Sequence, residues 1–220
     1  MFAPMKILKV VCFIFCLSAN LYAQDPLRFE KEIATLKTTD SLVEKKKLIL
    51  FTGSSSIRLW KDLKTSFLAY NIVNRGFGGS ETSDLVYYFD QLILPYQPKK
   101  IFIYEGDNDI NSGKTPERIL SDMDQLMKLV RTKLSPSVKV FIISPKPSIA
   151  RWALKDKYVV FNAQLKAWTR TQKRVKFIDV WTPALDHDGK VLSDIFVADN
   201  LHMNKKGYDI WVKVIGPYLR

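Results

Sequence analysis

The fold of this chain is decided by the stretch LILFTGSSSIRLW at residues 48–60. Its first half is a short apolar run without alternation, which predicts a strand that is buried on both faces of a parallel sheet. The run ends in Gly53 and three serines, and residues 57–60 indicate a short helical turn. A serine between a buried strand and a helix lies at the carboxyl edge of a parallel sheet, where open α/β folds bind their ligands. The serines could cap the helix, bind a phosphate or act in catalysis, and this stretch alone does not decide between these roles.

Strand and helix patterns alternate along the rest of the chain. Such alternation predicts a parallel sheet that is covered on both sides. We therefore expect an α/β fold, a three-layer doubly wound (flavodoxin-like) sandwich around a central, mostly parallel five-stranded sheet. The predicted strands are residues 47–52, 70–74, 100–104, 138–144 and 175–180. The predicted helices are residues 26–42, one that Ser80 caps and Pro95 ends, one that Pro116 opens, residues 156–170, and a last one that follows Asn204 and ends at Gly216 and Pro217.

The first 23 residues have the pattern of a secretory signal peptide. Lys6 and Lys9 precede an apolar run at residues 10–19, and Ala23 is a small residue at the predicted cleavage point. An uncleaved anchor is the alternative, but a bilayer span takes about 20 apolar residues. We expect an exported protein, periplasmic or secreted, with no membrane span in the mature chain.

Residues 24–220 are predicted to form one domain, because 220 residues of which 47% are hydrophobic suit a single core. Both cysteines, Cys12 and Cys16, lie in the leader, so we expect no disulfide and no cysteine metal site in the mature chain. The net charge of +12 could suit nucleic acid or an anionic surface. The basic residues are scattered, however, and show no aromatic interleaving. We therefore expect a solvated basic face and no nucleic-acid partner.

Polar residues collect where the predicted strands end. The second strand runs into the glycine-rich turn NRGFGGS at residues 74–80, and the third runs into EGDND at residues 105–109. Asp199 and His202 precede the last helix. Acyl transfer needs such a set, because a serine is a weak nucleophile until a histidine takes its proton. A carboxylate orients the histidine, and N–H donors stabilise the oxyanion.

Other readings of these motifs are weaker. A single Asp-x-x-His pair arises by chance in many chains. The other histidine, His187, lies in DHDG at residues 186–189, a polar turn that lacks the remaining ligands of a calcium loop. The turn at residues 76–79 lacks the full dinucleotide-binding spacing, and no Walker-type lysine follows it. The sequence therefore predicts no metal and no cofactor.

Taken in order, these pieces resemble the four sequence blocks of the SGNH hydrolases, also called GDSL-type esterases and lipases. The resemblance covers about residues 47–217. It implies that Ser55 is the nucleophile and that Asp199 and His202 complete a catalytic triad. It also implies an oxyanion hole formed by the N–H groups of Ser55 and Gly79 and by the Asn108 amide.

The first block departs from the family pattern. Ser54 stands where the family usually has an aspartate, so this chain has a serine-rich variant of the block. The departure leaves the choice among Ser54, Ser55 and Ser56 open to test, although Ser55 matches the nucleophile by its place two residues after the glycine.

Several polar residues are predicted to line the substrate site, and the loop after the fourth strand is a candidate wall. The loop comprises residues 144–148, with Arg151 and Trp152 following it, and an ordinary rigid loop is the equal alternative. The candidate substrate-binding residues are Ser54, Arg58, Arg75 and Asn200.

The resemblance thus implies an exported serine esterase of small-molecule or glycan esters that needs no cofactor. We expect short acyl groups, acetyl above all, carried on carbohydrate. The alternatives are a lipase, thioesterase or lysophospholipase of the same family, and a non-catalytic carbohydrate-binding relative.

Overall fold

The computed structural model describes residues 25–220, and the predicted signal peptide at residues 1–23 lies outside the described residues. In the described part, five strands form one sheet that is parallel throughout, in the order β2-β1-β3-β4-β5. This is the flavodoxin-like strand order, so the predicted fold class is confirmed. The strands are β1 (Ile49–Gly53), β2 (Ile72–Gly76), β3 (Lys100–Tyr104), β4 (Lys139–Ile143) and β5 (Val175–Ile178).

Helices connect the strands and cover both faces of the sheet. Helices α1, α4, α5, α7 and α8 pack on one face, and α2, α3 and α9 pack on the other. No helix among residues 25–220 is long and apolar enough to cross a membrane. The α-helices of the described part are α1 (Glu30–Lys37), α2 (Ser55–Arg58), α3 (Leu63–Ser66), α4 (Thr82–Tyr87), α5 (Phe89–Leu92), α6 (Asp107–Asn111), α7 (Pro116–Lys133), α8 (Lys155–Thr171) and α9 (Lys205–Leu219).

Aromatic side chains tie the central strands together on the α9 face. Phe51, Phe102 and Phe141 lie side by side on β1, β3 and β4, and their ring centroids are 4.5 Å and 4.6 Å apart. Burial of one such side chain is worth about 1.5–3 kcal/mol, and a stacked pair adds about 0.5–1.5 kcal/mol. This row of stacked rings packs β1 against β3. The two strands lead into the serine stretch after Gly53 and into the polar loop at residues 105–109.

Several predicted helix boundaries are wrong. The predicted helix at residues 26–42 is a shorter α1, with 3-10 turns at Pro26–Phe29 and Asp40–Leu42. Ser80 does not cap α4, because its hydroxyl donates to Glu105 instead, and Glu81 with Asp84 forms the capping box. The last helix does not end at Gly216 and Pro217 but continues to Leu219. Pro217 has no N–H to donate to the preceding turn, and only Tyr218 and Leu219 of the helix follow it.

Candidate active site

Ser55 is the first residue of α2, directly after β1. Gly53 ends the strand with a φ of +114°, and a Cβ there would lie 2.1 Å from the carbonyl oxygen of Tyr104. Only glycine fits this close approach. The next residue, Ser54, then donates its N–H to that same carbonyl at 3.0 Å. The tight turn at Gly53 therefore places Ser55 at the carboxyl edge of the sheet, between β1 and β3. The strand order reverses at this point of the sheet, and such switch points are where open α/β folds bind ligands.

The imidazole of His202 lies between Ser55 and Asp199. Its Nε2 is 2.9 Å from Oγ of Ser55, and its Nδ1 is 2.6 Å from Oδ2 of Asp199. The second carboxylate oxygen of Asp199 accepts the N–H groups of Leu201 and His202, each at 2.9 Å. A carboxylate facing Nδ1 favours the tautomer that carries its proton there, which leaves Nε2 free to accept the serine proton.

Hydrogen bonds also keep the carboxylate of Asp199 ionised. Desolvation acts to raise the pKa of Asp199, but the hydrogen bonds from the ring and backbone of His202 and from the backbone of Leu201 outweigh it and lower the pKa to about 2. The group is therefore negatively charged at any pH at which the histidine can act as a base.

A short loop carries this pair. Phe196 and Met203 form an antiparallel bridge at its base, and Val197 donates its N–H to the carbonyl of His202 at 2.9 Å. Asn200 has a φ of +57° at the tip, a conformation that asparagine tolerates better than most residues. Asn200 is exposed on the loop that carries His202, and its carbonyl accepts the N–H of Ala150.

Asn108 lies on α6, directly after β3. Its Nδ2 donates to Oγ of Ser54 at 2.7 Å and to the carbonyl of Ser80 at 2.8 Å. Its Oδ1 accepts from the guanidinium of Arg151 at 2.9 Å. The amide of Asn108 therefore faces the serine loop and the glycine-rich turn at once, which is where the resemblance expects an oxyanion donor.

Gly79 lies in the turn after β2, with a φ of +68°. A Cβ at this position would meet no atom within 4 Å, so the turn is open on this side. Among residues 25–220 no acceptor is paired with its N–H, whereas the N–H of Gly78 binds the carboxylate of Glu32 at 3.1 Å. Glu32 of helix α1 thus binds the N–H of Gly78, and the N–H of Gly79 remains able to donate to another group.

A buried ionic cluster underlies both sides of the site. Asp107 accepts from Arg151 at 2.6 Å and from the hydroxyls of Tyr104 and Tyr158. Lys146 lies 3.6 Å from the same carboxylate and donates to the carbonyl of Leu201 at 2.7 Å. Burial acts to raise the pKa of Asp107, but the charges of Lys146 and Arg151 outweigh it and lower the pKa to about 2. The cluster therefore joins the loop after β4 to the loop that carries His202.

The candidate substrate-binding residues have different surroundings. Ser54 is buried with its hydroxyl on Asn108, and Asn200 is exposed beside His202. Arg58 is half exposed and lies 3.6 Å from the carboxylate of Glu32. Arg75 does not fit a substrate-binding role, because its side chain is buried and its guanidinium contacts Asp40, Thr39 and the hydroxyl of Tyr96.

The other serine and histidine considered in the sequence are Ser56 and His187. Ser56 is buried, and its carbonyl accepts from the hydroxyl of Tyr208. The side chain of His187 is 90% exposed, and its Nε2 lies 3.4 Å from the carboxylate of Asp188. Within the described residues, no group of three or more His, Cys, Asp or Glu side chains is arranged to hold a metal ion.

The loop after β4 connects parts of the site in a way that was not predicted from the sequence. Lys146 and Arg151 were predicted only as parts of a possible wall, and Asp107 was given no role of its own. The motif KPSIAR at residues 146–151 was the available signal, since two cations flank a proline and a serine directly after a buried strand.

Comparison with known proteins identifies the class. The GDSL-like lipase/acylhydrolase family matches the chain over residues 40–210. The chain belongs to this family, and the predicted resemblance is confirmed. It is accordingly a hydrolase that acts on ester bonds. No curated protein matches the chain.

Solved structures share the fold. A protein from Streptococcus pneumoniae, provisionally described as a platelet activating factor, has a TM-score of 0.78 and 23% identity, with 87% of this chain and 92% of that chain covered. A GDSL-like lipase from Bacteroides thetaiotaomicron has a TM-score of 0.69 and 20% identity, with 89% and 97% covered. An acetyl-xylooligosaccharide esterase from a Geobacillus species has a TM-score of 0.66 and 12% identity, with 80% and 95% covered.

Proposed function

We propose that this hydrolase is a serine esterase in which Ser55 is the nucleophile, His202 the general base and Asp199 the residue that orients the base. One observation carries the proposal. Oγ of Ser55, the ring of His202 and the carboxylate of Asp199 form a continuous hydrogen-bonded chain of 2.9 Å and 2.6 Å. Distances of about 2.6–3.2 Å are those at which a base activates a nucleophile.

The reaction then proceeds in two halves. Oγ of Ser55 bonds to the ester carbonyl carbon while its proton passes to Nε2 of His202. The carbon–oxygen bond to the alcohol breaks, the imidazolium returns the proton to the leaving oxygen, and an acyl-serine remains. Water repeats the sequence with His202 as its base and releases the acid, which restores the free Ser55 hydroxyl. Asp199 stays ionised throughout and stabilises the imidazolium.

Three N–H donors stabilise the negative charge on the carbonyl oxygen in this proposal. They are the backbone N–H of Ser55 at the start of α2, the N–H of Gly79, which has no acceptor among residues 25–220, and Nδ2 of Asn108. Both protons of Nδ2 already have acceptors, Oγ of Ser54 and the carbonyl of Ser80. In this proposal, the Nδ2 proton of Asn108 that now binds Oγ of Ser54 turns toward the oxyanion, because a neutral hydroxyl is a weaker acceptor than an oxyanion.

The substrate class we propose is a short acyl ester, acetyl above all, on a carbohydrate. The open side of Gly79 leaves room for a bulky alcohol, and Asn200 is exposed on the loop that carries His202. The similarity in fold to an acetyl-xylooligosaccharide esterase supports the same class. Each added methylene gains about 0.8 kcal/mol only where apolar surface buries it, so kcat/KM should fall as the acyl chain lengthens.

The proposed site of action is outside the cytoplasm, periplasmic or secreted. The support is the basic start, the apolar run and the small residue at the beginning of the sequence. Fractionation of cells that express the full chain, with N-terminal sequencing of the product, tests this part independently of the chemistry. Cleavage near Ala23 is the expected result, and an intact N-terminus in the cytoplasm would contradict it.

Hydrolysis of 4-nitrophenyl esters tests the function. We expect turnover that peaks at acetyl or propionyl, release of acetate from acetylated xylan, and loss of both activities in Ser55→Ala. A maximum at octanoyl or longer chains would favour a lipase or thioesterase. Binding of acetylated xylan without any turnover would favour the carbohydrate-binding alternative.

A further inference from the structure

The guanidinium of Arg151 bridges two neighbouring residues of α6. One of its nitrogens, Nη1, donates to Oδ1 of Asp107 at 2.6 Å and to the backbone carbonyl of Asp107 at 3.1 Å. The other, Nη2, donates to Oδ1 of Asn108 at 2.9 Å. The side chain of Arg151 is 13% exposed, so these bonds are largely shielded from water.

This contact bears on which end of the Asn108 amide faces the reacting atoms. An asparagine amide has an acceptor end and a donor end that differ little in shape. A guanidinium only donates, so Arg151 requires the oxygen end on its side. The carbonyl of Ser80, 2.8 Å away, only accepts and requires the nitrogen end. Arg151 and Ser80 therefore hold the amide from opposite sides, and the second proton of Nδ2 is left for Ser54 or an oxyanion.

Arg151 is itself held in place. The carboxylate of Asp107 is also bound by the hydroxyls of Tyr104 and Tyr158 and neighboured by Lys146, so it is a fixed anchor for the guanidinium. The planar fork of an arginine reaches two acceptors at once, which an ammonium group does not reproduce. The pair of contacts thus depends on arginine in particular and not only on positive charge.

We propose that Arg151 is a positioning residue that orients the amide of Asn108 as an oxyanion donor. The inference rests on the proposed function of the site. Arg151 acts through Asn108, because its guanidinium donates to Asp107 and Asn108 of α6. Without the side chain of Arg151, Oδ1 of Asn108 loses this donor and the amide can rotate. A misplacement of a catalytic group by about 1 Å costs on the order of 10²-fold in rate.

The test measures kcat and KM for 4-nitrophenyl acetate in Arg151→Lys, Arg151→Met, Asn108→Ala and the double variant Asn108→Ala with Arg151→Met. Arg170→Met is the matched control, because Arg170 is exposed on α8 and its side chain makes no polar contact among residues 25–220. Melting temperatures are recorded for all variants. Arg151→Lys keeps a cation beside Asp107, so it serves as the second variant if Arg151→Met does not fold.

We expect kcat to fall by about tenfold or more in both Arg151 variants, with less than about a threefold change in KM. In the Asn108→Ala background, Arg151→Met should change kcat by less than about threefold, because the donor that it orients is already absent. Arg170→Met should match the wild-type protein.

Two results would overturn the positioning role. One is a kcat within twofold of wild type in a folded Arg151→Lys or Arg151→Met, while Ser55→Ala and Asn108→Ala lose activity. The other is a full additional loss from Arg151→Met in the Asn108→Ala background. Activity retained in Ser55→Ala would instead overturn the proposed function, and with it the role of Arg151.

Discussion

The hydroxyl of Ser54 lies 2.7 Å from Nδ2 of Asn108, next to the serine whose hydroxyl faces His202. In the family an aspartate usually occupies this position, so the amide here is held by a neutral acceptor. Ser54 is 1% exposed, and its hydroxyl is directed at the amide of Asn108. Of the three consecutive serines, this geometry singles out Ser55 for the chemistry and gives Ser54 a supporting contact.

Ser54→Ala should therefore keep most of the activity. Loss of one neutral hydrogen bond costs about 1 kcal/mol, which corresponds to a fall in kcat within about tenfold. Ser55→Ala should lose on the order of 10³-fold or more, since the covalent route is removed. Turnover of 4-nitrophenyl acetate by the two folded variants makes the comparison. Loss of turnover in Ser54→Ala with retention in Ser55→Ala would reverse the assignment.

The two histidines of the chain provide an internal control. His202→Ala should abolish turnover, and adding Ser55→Ala should cost little more, because the two residues act as a unit. His187→Ala should be silent, since the His187 side chain is 90% exposed and its charged neighbour in the described part of the chain is Asp188. Steady-state kinetics of the three variants decide the matter. A silent His202→Ala would remove the general base from the mechanism.

Lys146→Met should weaken both activity and stability. It removes the donor to the carbonyl of Leu201, which lies between Asp199 and His202, and leaves the buried Asp107 with one cation fewer. We expect the free energy of unfolding to fall by about 2 kcal/mol, seen as a drop of several degrees in Tm, and kcat to fall with it. Lys166→Met is the control, because Lys166 is exposed on α8. Equal melting curves and rates for the two variants would show that Lys146 does not hold the loop.

Glu105→Gln should change how stability depends on pH. Burial, with the charge of Asp109 next in effect, raises the pKa of Glu105 well above its usual range. A raised pKa favours the folded state below the pKa of the unfolded carboxyl, and this stabilisation is lost as the pH rises through the folded-state pKa. The glutamine stays neutral and keeps an oxygen for the hydroxyl of Ser80. The gain in Tm of Glu105→Gln over wild type should be larger at pH 8 than at pH 5, and a constant difference would contradict the raised pKa.

The sequence predicted those parts of the molecule that depend on local pattern. Nearly continuous apolar runs mark β1, β3 and β4 because both faces of the central strands are buried, and the alternation of strands with helices predicts the parallel sheet that is observed. Asp199 and His202 could be singled out because they precede the last helix at the same edge, whereas the family resemblance was needed to choose Ser55 among three consecutive serines.

Contacts between distant segments could not be predicted in this way. Arg75 looks like a free polar residue beside a glycine-rich turn, but it ends on Asp40, which lies 35 residues earlier in the chain. Lys146 is 2% exposed, whereas a lysine in a loop is normally expected at the surface. In both cases the partner is a carboxylate that is near only in the folded chain. The local sequence therefore does not indicate that the basic side chain is buried.

Covalent phosphorylation of the active serine by an organophosphate tests the central claim most directly. The protein is treated with diisopropyl fluorophosphate, and the modified peptide is located by mass spectrometry. Attack of a serine on phosphorus, like attack on an ester, requires the activated hydroxyl and the oxyanion donors. We predict a single adduct on Ser55, loss of activity in proportion to labelling, and no labelling in Ser55→Ala or His202→Ala. An adduct on Ser54 or Ser56, or full inactivation with Ser55 unmodified, would contradict the assignment.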